Sequence, residues 1–524
     1  MRGRERWLWV VVLCLLPIFL ALLWTTARAQ GPTPGIDWSP AEQLSDTTAP
    51  RRSSWHSLAQ NPINGDLMAV WMEQGGDAAS EVMGRRRSST TGLWLPALSL
   101  PAQNLSASPH ADGGPVVFYD AQGDAHLLWT RRQSGTPDTP TGLTELMWRR
   151  WDGAAWSPET VLLRDETYYP GHYSFIPVHK ADSVLLLLLF DRGYRMAEYK
   201  DGSWSAFSPW VYLEVMLADA VIDGAGTLHA AAFGANSSMI GYDPWFYDAY
   251  YLAYDGASWT DALNLSSTTG VAHDADLAFD RNGKLHFLWS DPNSFFSSES
   301  LKSTVWERVW DGSAWSANAE IVDDNPDQAI HSFDLTSDGT GALHLAWSEG
   351  LMVNNAHTAL GIRYKTDKNN TWGPESLVYT STLSNDYPAM AWHPLFPAVS
   401  WVTGPITDSN ILFSQRSPTP PLACQTVTQV DVSGPITGVT GIEYTFTAQA
   451  GPSTATAPLS YLWEATEHPP LVSISGFTDT ARFSWSGIGT QAVTVTVANC
   501  GPTVSDAQPI TIKQLVYLPT IVRE

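Results

Sequence analysis

The chain has 524 residues, of which 29 are Lys or Arg and 53 are Asp or Glu, giving a formal net charge of −24 at pH 7. This negative charge repels phosphate backbones, so no nucleic-acid partner is expected. Only 16% of the residues are charged while 25 are Trp, which excludes a disordered chain and favours an aromatic-rich, globular β protein.

The first 29 residues are predicted to be a secretory signal peptide. A basic start with three arginines precedes an apolar run from Trp7 to Trp24, and Ala27-Arg28-Ala29 offers a small-residue cleavage site. An uncleaved membrane anchor is the alternative, because a run of 18 residues is near the lower limit for a span. After cleavage the protein is expected to be secreted or held at the cell surface, with no membrane span.

A phrase of alternating residues recurs along the middle of the chain, as in "YDAQGDAHLLWT" (119–130), "FDRNGKLHFLWS" (279–290) and "TSDGTGALHLAWSE" (336–349). Its alignment gives seven equivalent positions, here called the ladder aromatics: Trp71, Trp129, Phe190, Phe233, Trp289, Trp347 and Trp401. The six steps between them cover 330 residues, a mean of 55. Repeats of this length built from short alternating strands are typical of β-propeller blades.

Each repeat unit is predicted to contain four strands. In the fifth unit the first strand, 275–279, reaches an Asp-x-x-Gly turn in which Gly283 supplies the positive φ of a tight hairpin. A second strand, a variable loop and a third strand (303–310) follow, and an Asp-Gly turn leads into the fourth. Residues 36–417 are therefore predicted to form an all-β, seven-bladed β-propeller.

The seventh unit has only three strands before the repeat ends. Residues 37–45, "DWSPAEQLS", closely match "AWSPETVLL" (155–163), which is the fourth strand of another unit. We therefore expect residues 37–45 to complete the last blade and close the ring, because closure hides the edge strands.

A different pattern begins after a Pro-rich linker at 418–423. Residues 424–513 alternate with a period of two, which favours an immunoglobulin-like β-sandwich. Cys424 and Cys500 lie 76 residues apart in this region and are expected to form a disulfide in an oxidising compartment. The short apolar tail, 514–524, is interpreted either as an extra strand or as a sorting signal.

The four-stranded unit with its Asp-Gly-x-x-Trp turn, as in "DGSAW" (311–315), resembles the bacterial-neuraminidase repeat of sialidase-like propellers. The resemblance implies an arginine triad that binds a carboxylate, a Tyr–Glu nucleophile pair and an Asp acid. Phe175 stands where that family has the arginine of its Arg-Ile-Pro motif, so sialic-acid hydrolysis is not expected to carry over.

The C-terminal region is similar to PKD-type and related Ig-like domains, with "YLWEAT" (461–466) in place of their Trp-Asp-Phe-Gly-Asp-Gly stretch.

Acidic residues recur at two positions of the repeat. The set two residues after a ladder aromatic is Glu73, Asp291 and Glu349. The set ten residues before a second-strand histidine is Asp219, Asp276 and Asp334. Both sets are expected to converge near the mouth of the central channel, where clustered carboxylates raise each other's pKa. They are candidates for the acid and base of glycoside cleavage or for ligands of Ca²⁺, the one cofactor considered. The alternative is that each Asp caps a turn or accepts backbone amides.

Aromatic residues crowd the stretch 242–251, which follows a second strand. Four of them are candidates for a carbohydrate platform, because flat rings suit sugar C–H faces and exposed aromatic patches mark contact surfaces: Trp245, Phe246, Tyr247 and Tyr250. The alternative is that they pack over a neighbouring blade. His273 and His331, three residues before Asp276 and Asp334, are further ligand-binding candidates.

The second-strand histidines are expected to hydrogen-bond within their own blades, since no second ligand type accompanies them at metal-like spacing: His126, His229, His286 and His344. The sequence therefore predicts a protein that recognises an extracellular glycan or surface protein through its loops. An exo-acting, sialidase-like glycoside hydrolase and a structural cell-envelope protein are the alternatives.

Overall fold

The computed structural model describes residues 38–46, 51–75, 79–132, 144–165, 174–190, 193–235, 247–266, 272, 274–292, 303–322, 329–353, 356–367, 371–391, 397–405, 408–416 and 424–514. The regular elements of these residues are all β-strands. No helix within these ranges has the length and apolar character that a membrane span needs. The predicted signal peptide, the linker 418–423 and nearly all of the tail 514–524 lie outside the described residues.

The strands up to residue 415 form seven antiparallel sheets, and β1 (Glu42–Gln43) belongs to the last of them. Sheet 1 contains β2 (Arg51–Gln60), β3 (Leu67–Gly75), β4 (Glu81–Arg87), β5 (Trp94–Leu95) and β6 (Gln103–Asn104). Sheet 2 contains β7 (Ala111–Tyr119), β8 (Ala125–Arg132), β9 (Thr144–Trp151) and β10 (Thr160–Asp165). Sheet 3 contains β11 (Ser174–His179), β12 (Val184–Phe190), β13 (Gly193–Lys200), β14 (Ser203–Trp204) and β15 (Val211–Tyr212).

The next three sheets each contain four strands. Sheet 4 contains β16 (Met216–Ile222), β17 (Leu228–Ala235), β18 (Tyr247–Tyr254) and β19 (Leu263–Asn264). Sheet 5 contains β20 (Ala275–Phe279), β21 (Leu285–Pro292), β22 (Ser303–Trp310) and β23 (Ala319–Glu320). Sheet 6 contains β24 (Ala329–Ser337), β25 (Leu343–Val353), β26 (Ala356–Asp367) and β27 (Ser376–Thr380). Sheet 7 contains β28 (Asn385–Ala391), β29 (Ala398–Thr403) and β30 (Asn410–Gln415), with β1 paired to β30.

The first strand of each sheet, here called the inner strand, contacts the inner strands of the two neighbouring sheets. The contacts run in cyclic order through β2, β7, β11, β16, β20, β24 and β28, and return to β2. Two further links join the ends of this ring. Glu42 of β1 lies opposite Phe413 of β30, and the N–H of Ser53 in β2 donates to the carbonyl of Ser409 at 3.0 Å.

The ladder tryptophans fill the space between neighbouring sheets. Trp71, Trp129, Trp289, Trp347 and Trp401 are each 0% exposed. Each belongs to an apolar cluster that includes residues of the preceding sheet, as when Trp347 is grouped with Leu288 of β21 and Trp71 with Phe413 of β30. Burial of such a side chain stabilises the fold by about 2–3 kcal/mol, so the tryptophans are a principal source of stability between the sheets.

The second-strand histidines tie the Asp-x-x-Gly turn to the third strand of the same sheet. In sheet 2, Nε2 of His126 lies 3.1 Å from Oδ2 of Asp120, and Nε1 of Trp148 donates to its Nδ1 at 3.1 Å. In sheet 6, Nδ1 of His344 lies 2.5 Å from the hydroxyl of Tyr364. The recurring histidine is therefore a structural residue in these sheets.

Residues 424–514 form two further sheets. The first has strand order β31 (Gln429–Ser433), β33 (Glu443–Gly451), β36 (Thr478–Ser484), and the second has order β32 (Thr437–Val439), β38 (Val504–Lys513), β37 (Gly489–Ala498), β34 (Leu459–Ala465), β35 (Leu471–Ser475). They enclose one apolar core that contains Phe446, Trp463 and Trp485. The predicted disulfide between Cys424 and Cys500 is confirmed, with a Cα–Cα distance of 6.4 Å.

Candidate functional site

The described acids that follow the ladder aromatics are bound to partners within their own sheets. Glu73 is 3% exposed and accepts a hydrogen bond from Nε1 of Trp71 at 3.2 Å. Glu349 forms an ion pair with Arg363. Residues i and i+2 of a strand share a face, so an acid at this position enters the same buried layer as its tryptophan. The expectation that Glu73 and Glu349 point into the mouth of the ring is therefore corrected. The side chain of Asp291 lies outside the described part of the molecule.

In sheet 2, the position two residues after the ladder tryptophan carries a cation. The repeat therefore places a charge-paired side chain at this position, whether the residue is acidic or basic. Arg131 binds Oδ1 of Asp112 at 2.8 Å and Oε2 of Glu159 at 2.7 Å. This arginine is committed to two carboxylates of the protein, so it does not serve as a carboxylate-binding group for a ligand.

The three inner-strand acids, Asp219, Asp276 and Asp334, connect neighbouring sheets. Oδ2 of each accepts a hydrogen bond from a backbone N–H on the next inner strand. The pairs are Asp219 with Leu277 (3.2 Å), Asp276 with Leu335 (3.0 Å) and Asp334 with Met390 (2.5 Å). In sheet 1, the hydroxyl of Ser57 accepts from the N–H of Val117 at 3.2 Å in the same manner. Because a hydroxyl fills the same role, this position requires a hydrogen-bond acceptor rather than an acid.

These three carboxyl groups also influence one another. Burial is the main cause that raises the pKa of each. The charges of Asp219 and Asp334 add to this effect at Asp276, whose pKa lies well above its ordinary value, and the pKa of Asp334 is raised to about 7. No group of three or more His, Cys, Asp or Glu side chains within the described ranges is arranged to hold a metal ion.

Two large aromatic side chains project from bulges of neighbouring inner strands. In β28, β2 and β7, two residues stand opposite the single ladder tryptophan, and the first of each pair is Tyr387, Trp55 and Gly114. Their φ angles are +52°, +49° and +60°, in a region that non-glycine residues seldom adopt. Tyr387 is 59% exposed and Trp55 is 49% exposed. The fold therefore holds two partly exposed aromatic residues on strained backbone, which is a feature of functional sites.

His331 is the bulge residue of β24, the inner strand next to β28. Its Nδ1 lies 2.5 Å from Oδ2 of Asp386, and its ring meets that of Tyr387 edge-on, with centroids 5.6 Å apart. The other oxygen of Asp386 accepts hydrogen bonds from the hydroxyls of Ser332 (2.8 Å) and Ser348 (2.9 Å). The N–H of Tyr387 donates to the same oxygen at 2.8 Å. Asp386 thus holds the imidazole and the strained tyrosine in a fixed arrangement.

Charge–charge contacts set the protonation of this dyad. Burial alone lowers the pKa of His331, but the hydrogen bond and charge of Asp386 and the charge of Asp274 outweigh it, so the pKa is raised. At Asp386 burial raises the pKa, yet the hydrogen bond and charge of His331 prevail and the pKa is lowered. The dyad is therefore an imidazolium–carboxylate pair over an extended pH range.

Asp274 is a third ionisable group of this cluster. Its Oδ2 accepts a hydrogen bond from the N–H of Phe333 at 3.1 Å, while its Oδ1 has no hydrogen-bond partner among the described residues. Burial raises its pKa to about 6, the charge of Asp386 adds to the rise, and His331 opposes it. We call the set formed by Trp55, Asp274, His331, Asp386 and Tyr387 the mouth cluster, because it lies at the end of the ring opposite the Asp-x-x-Gly turns.

Of the ligand-binding residues predicted from the sequence, the structure brings His331 into the mouth cluster. Tyr250 is half-buried and packs beside Val215 and Leu252 in an apolar cluster of sheet 4. Trp245, Phe246 and His273, with the side chain of Tyr247, lie outside the described residues.

Four members of the mouth cluster are not predicted from the sequence, namely Trp55, Asp274, Asp386 and Tyr387. The available signal was Pro388 after Tyr387 and Pro115 after Gly114, two prolines at one position of the repeat. A proline there cannot donate to the strand pairing, which indicates a bulge.

No protein-family model and no curated protein matches this chain. A solved ulvan lyase of polysaccharide lyase family PL25, bound to -[GlcA(1-4)Rha3S]-, is 12% identical over 71% of this chain and 95% of its own, with a TM-score of 0.46. Trypanosoma rangeli sialidase with the inhibitor DANA is 10% identical over 78% of this chain and 86% of its own (TM-score 0.39). Penicillium chrysogenum α-L-arabinanase with arabinobiose is 12% identical over 75% of this chain and 100% of its own (TM-score 0.37). With every TM-score below 0.5, the function of this chain is inferred from its own residues.

Proposed function

We propose that the seven sheets are the blades of a seven-bladed β-propeller followed by an Ig-like module, and that the mouth of the propeller binds an extracellular carbohydrate. Seven sheets in cyclic contact and β1 on β30 support the first part. The disulfide is compatible with an oxidising, extracellular compartment, which agrees with a secreted or surface-held protein.

The observation that carries the carbohydrate proposal is the pair of exposed rings of Trp55 and Tyr387. Both are held by backbone strain on adjacent inner strands, and an unliganded protein gains no stability from exposing them. The ring of Tyr387 lies beside the polar groups of His331, Asp386 and Asp274, and Trp55 stands on the adjacent inner strand. Together they offer both the stacking surface and the hydrogen-bonding partners that a sugar ring requires.

A glycan array followed by calorimetry with the best ligand tests this proposal. Trp55→Ala and Tyr387→Ala are each expected to weaken binding at least about tenfold, which corresponds to ~1.4 kcal/mol. Tyr212→Ala is the matched control, because this tyrosine is 72% exposed on β15 of sheet 3 and is outside the mouth cluster. Unchanged binding in both mouth variants would refute the assignment, and silence of the wild type on all glycans would favour a structural cell-envelope role.

A further inference from the structure

We propose that the mouth cluster also hydrolyses a glycosidic bond, with His331 as proton donor and Asp274 as the base that activates water. This inference rests on the proposed carbohydrate binding, since a bound sugar must lie against the cluster. It differs from cleavage by the acids that the sequence singled out, because Glu73 and Glu349 are bound within their own sheets. The three inner-strand acids accept hydrogen bonds from the next sheet.

Asp386 is a positioning residue in this arrangement. One of its oxygens receives three hydrogen bonds from the protein and the other faces Nδ1 of His331. A carboxylate so occupied is a poor nucleophile, but it orients the ring and stabilises its protonated form. His331 is 29% exposed, so the imidazole is accessible from the mouth.

Asp274 differs from Asp386 in that only one of its two carboxylate oxygens accepts a hydrogen bond from the described residues. Oδ1 carries no hydrogen bond from the described residues, so it is available to accept a proton from water. The groups facing Asp274 and His331 are each other, Asp386 and Tyr387, with Asp276 and Asp334 as more distant charges. Asp274 loses its proton at about pH 6, and the raised pKa of His331 keeps the ring protonated at that pH. A carboxylate base and an imidazolium acid therefore coexist near neutral pH.

The reaction balances without a cofactor. The water oxygen attacks the anomeric carbon while Oδ1 of Asp274 takes the water proton. The bond between the anomeric carbon and the glycosidic oxygen breaks, and that oxygen receives a proton from the imidazolium of His331. Return of the proton from Asp274 to His331 through solvent restores the starting state. Since no covalent intermediate forms, the anomeric configuration inverts.

The charge of the cluster indicates the substrate class. The carboxylates of Asp274 and Asp386 accompany one imidazolium, so the cluster has a net negative charge near neutral pH. This excess of negative charge repels uronic and sialic acids, so we expect a neutral glycan. The aromatic rings of Tyr387 and Trp55, on adjacent sheets, then provide stacking surfaces for it.

The test measures binding and turnover separately. Glycans that bind the array and a panel of neutral 4-nitrophenyl glycosides are incubated with the wild-type protein across a pH range. The expected profile of kcat/KM is a bell, with an acid limb near pH 6 from Asp274 and an alkaline limb above the ordinary pKa of histidine from His331. Asp274→Asn should retain binding and lose turnover by about 10²–10⁴-fold. Asp276→Asn, two residues away, is the matched control and should retain turnover.

Asp386→Asn distinguishes a positioning role from a structural one. Loss of its charge lowers the pKa of His331, so the alkaline limb should move to lower pH while KM changes little. The acid limb should move less, because the charge of Asp386 is only a minor cause of the raised pKa of Asp274. Binding without turnover in the wild type, or full turnover in Asp274→Asn, would overturn the inference and leave the recognition proposal intact. Absence of any glycan binding would refute both.

Discussion

Replacement of Asp334 by Asn should make the protein more stable at alkaline pH. The Asp334 carboxylate accepts the N–H of Met390 from the neighbouring sheet. Asn keeps an oxygen for this bond and removes the ionisable proton, so the substitution isolates the effect of charge. Burial, with the charges of Asp219 and Asp274, raises the pKa of Asp334 from 3.8 to about 7, although the N–H of Met390 opposes the shift.

The sign and size of the effect follow from this pKa. A raised pKa means that the folded protein keeps a proton that the unfolded chain releases between pH 3.8 and about 7. The contribution to stability is thus fully present below pH 3.8 and is lost as the pH rises through about 7. A shift of about 3 pH units at ~1.4 kcal/mol per unit gives an upper limit of ~4 kcal/mol at about pH 8 and less than ~1 kcal/mol at about pH 4.

Urea denaturation followed by tryptophan fluorescence, at about pH 4 and about pH 8, measures this difference. Asp338→Asn is the control in the same sheet, because the pKa of Asp338 is lowered and its removal should destabilise the protein at pH 8. The assignment of a buried, destabilising charge to Asp334 is refuted if Asp334→Asn raises the free energy of unfolding equally at the two pH values. It is refuted as well if no gain is seen at about pH 8.

Three other substitutions test the framework. Arg85→Met should lower the free energy of unfolding by about 3–5 kcal/mol, because the buried guanidinium donates to four backbone carbonyls. Urea titration measures the loss, and a change below ~1 kcal/mol would contradict this structural role of Arg85. Joint replacement of Cys424 and Cys500 by Ala should destabilise the C-terminal sheets by about 4 kcal/mol, since the disulfide closes a loop of 76 residues. Faster proteolysis of residues 424–514 would detect this loss of stability. Unchanged resistance to the protease would argue against it. His126→Ala should lower the free energy of unfolding by about 1–3 kcal/mol and leave glycan binding unchanged, because the hydrogen bonds of His126 with Asp120 and Trp148 lie within one sheet. A variant that keeps its stability but loses glycan binding would contradict a structural role for this histidine.

The local pattern of the sequence was enough to predict the strands and turns of this protein. The ladder tryptophans such as Trp289 are buried as their alternation indicates, and Gly283 has a φ of +74° in the turn where the sequence requires it. Period-two alternation and glycine turns depend on residues close in the chain, so they can be read without knowledge of the neighbours. The disulfide was predicted because only two cysteines follow the predicted signal peptide, and the structure joins them.

The mouth cluster depended on tertiary structure. Asp274, His331 and Asp386 come from three different sheets, and their approach is set by how the inner strands pack around the ring. The bulges that expose Trp55 and Tyr387 arise where two residues oppose one across a strand pair, a mismatch that only the register between strands reveals. For the same reason the repeat alone could not separate Asp276, which binds the next sheet, from Asp274, whose second oxygen has no partner within the described ranges. The sequence by itself determined which residues form the sheets, and the packing of sheets against one another decided which side chains meet.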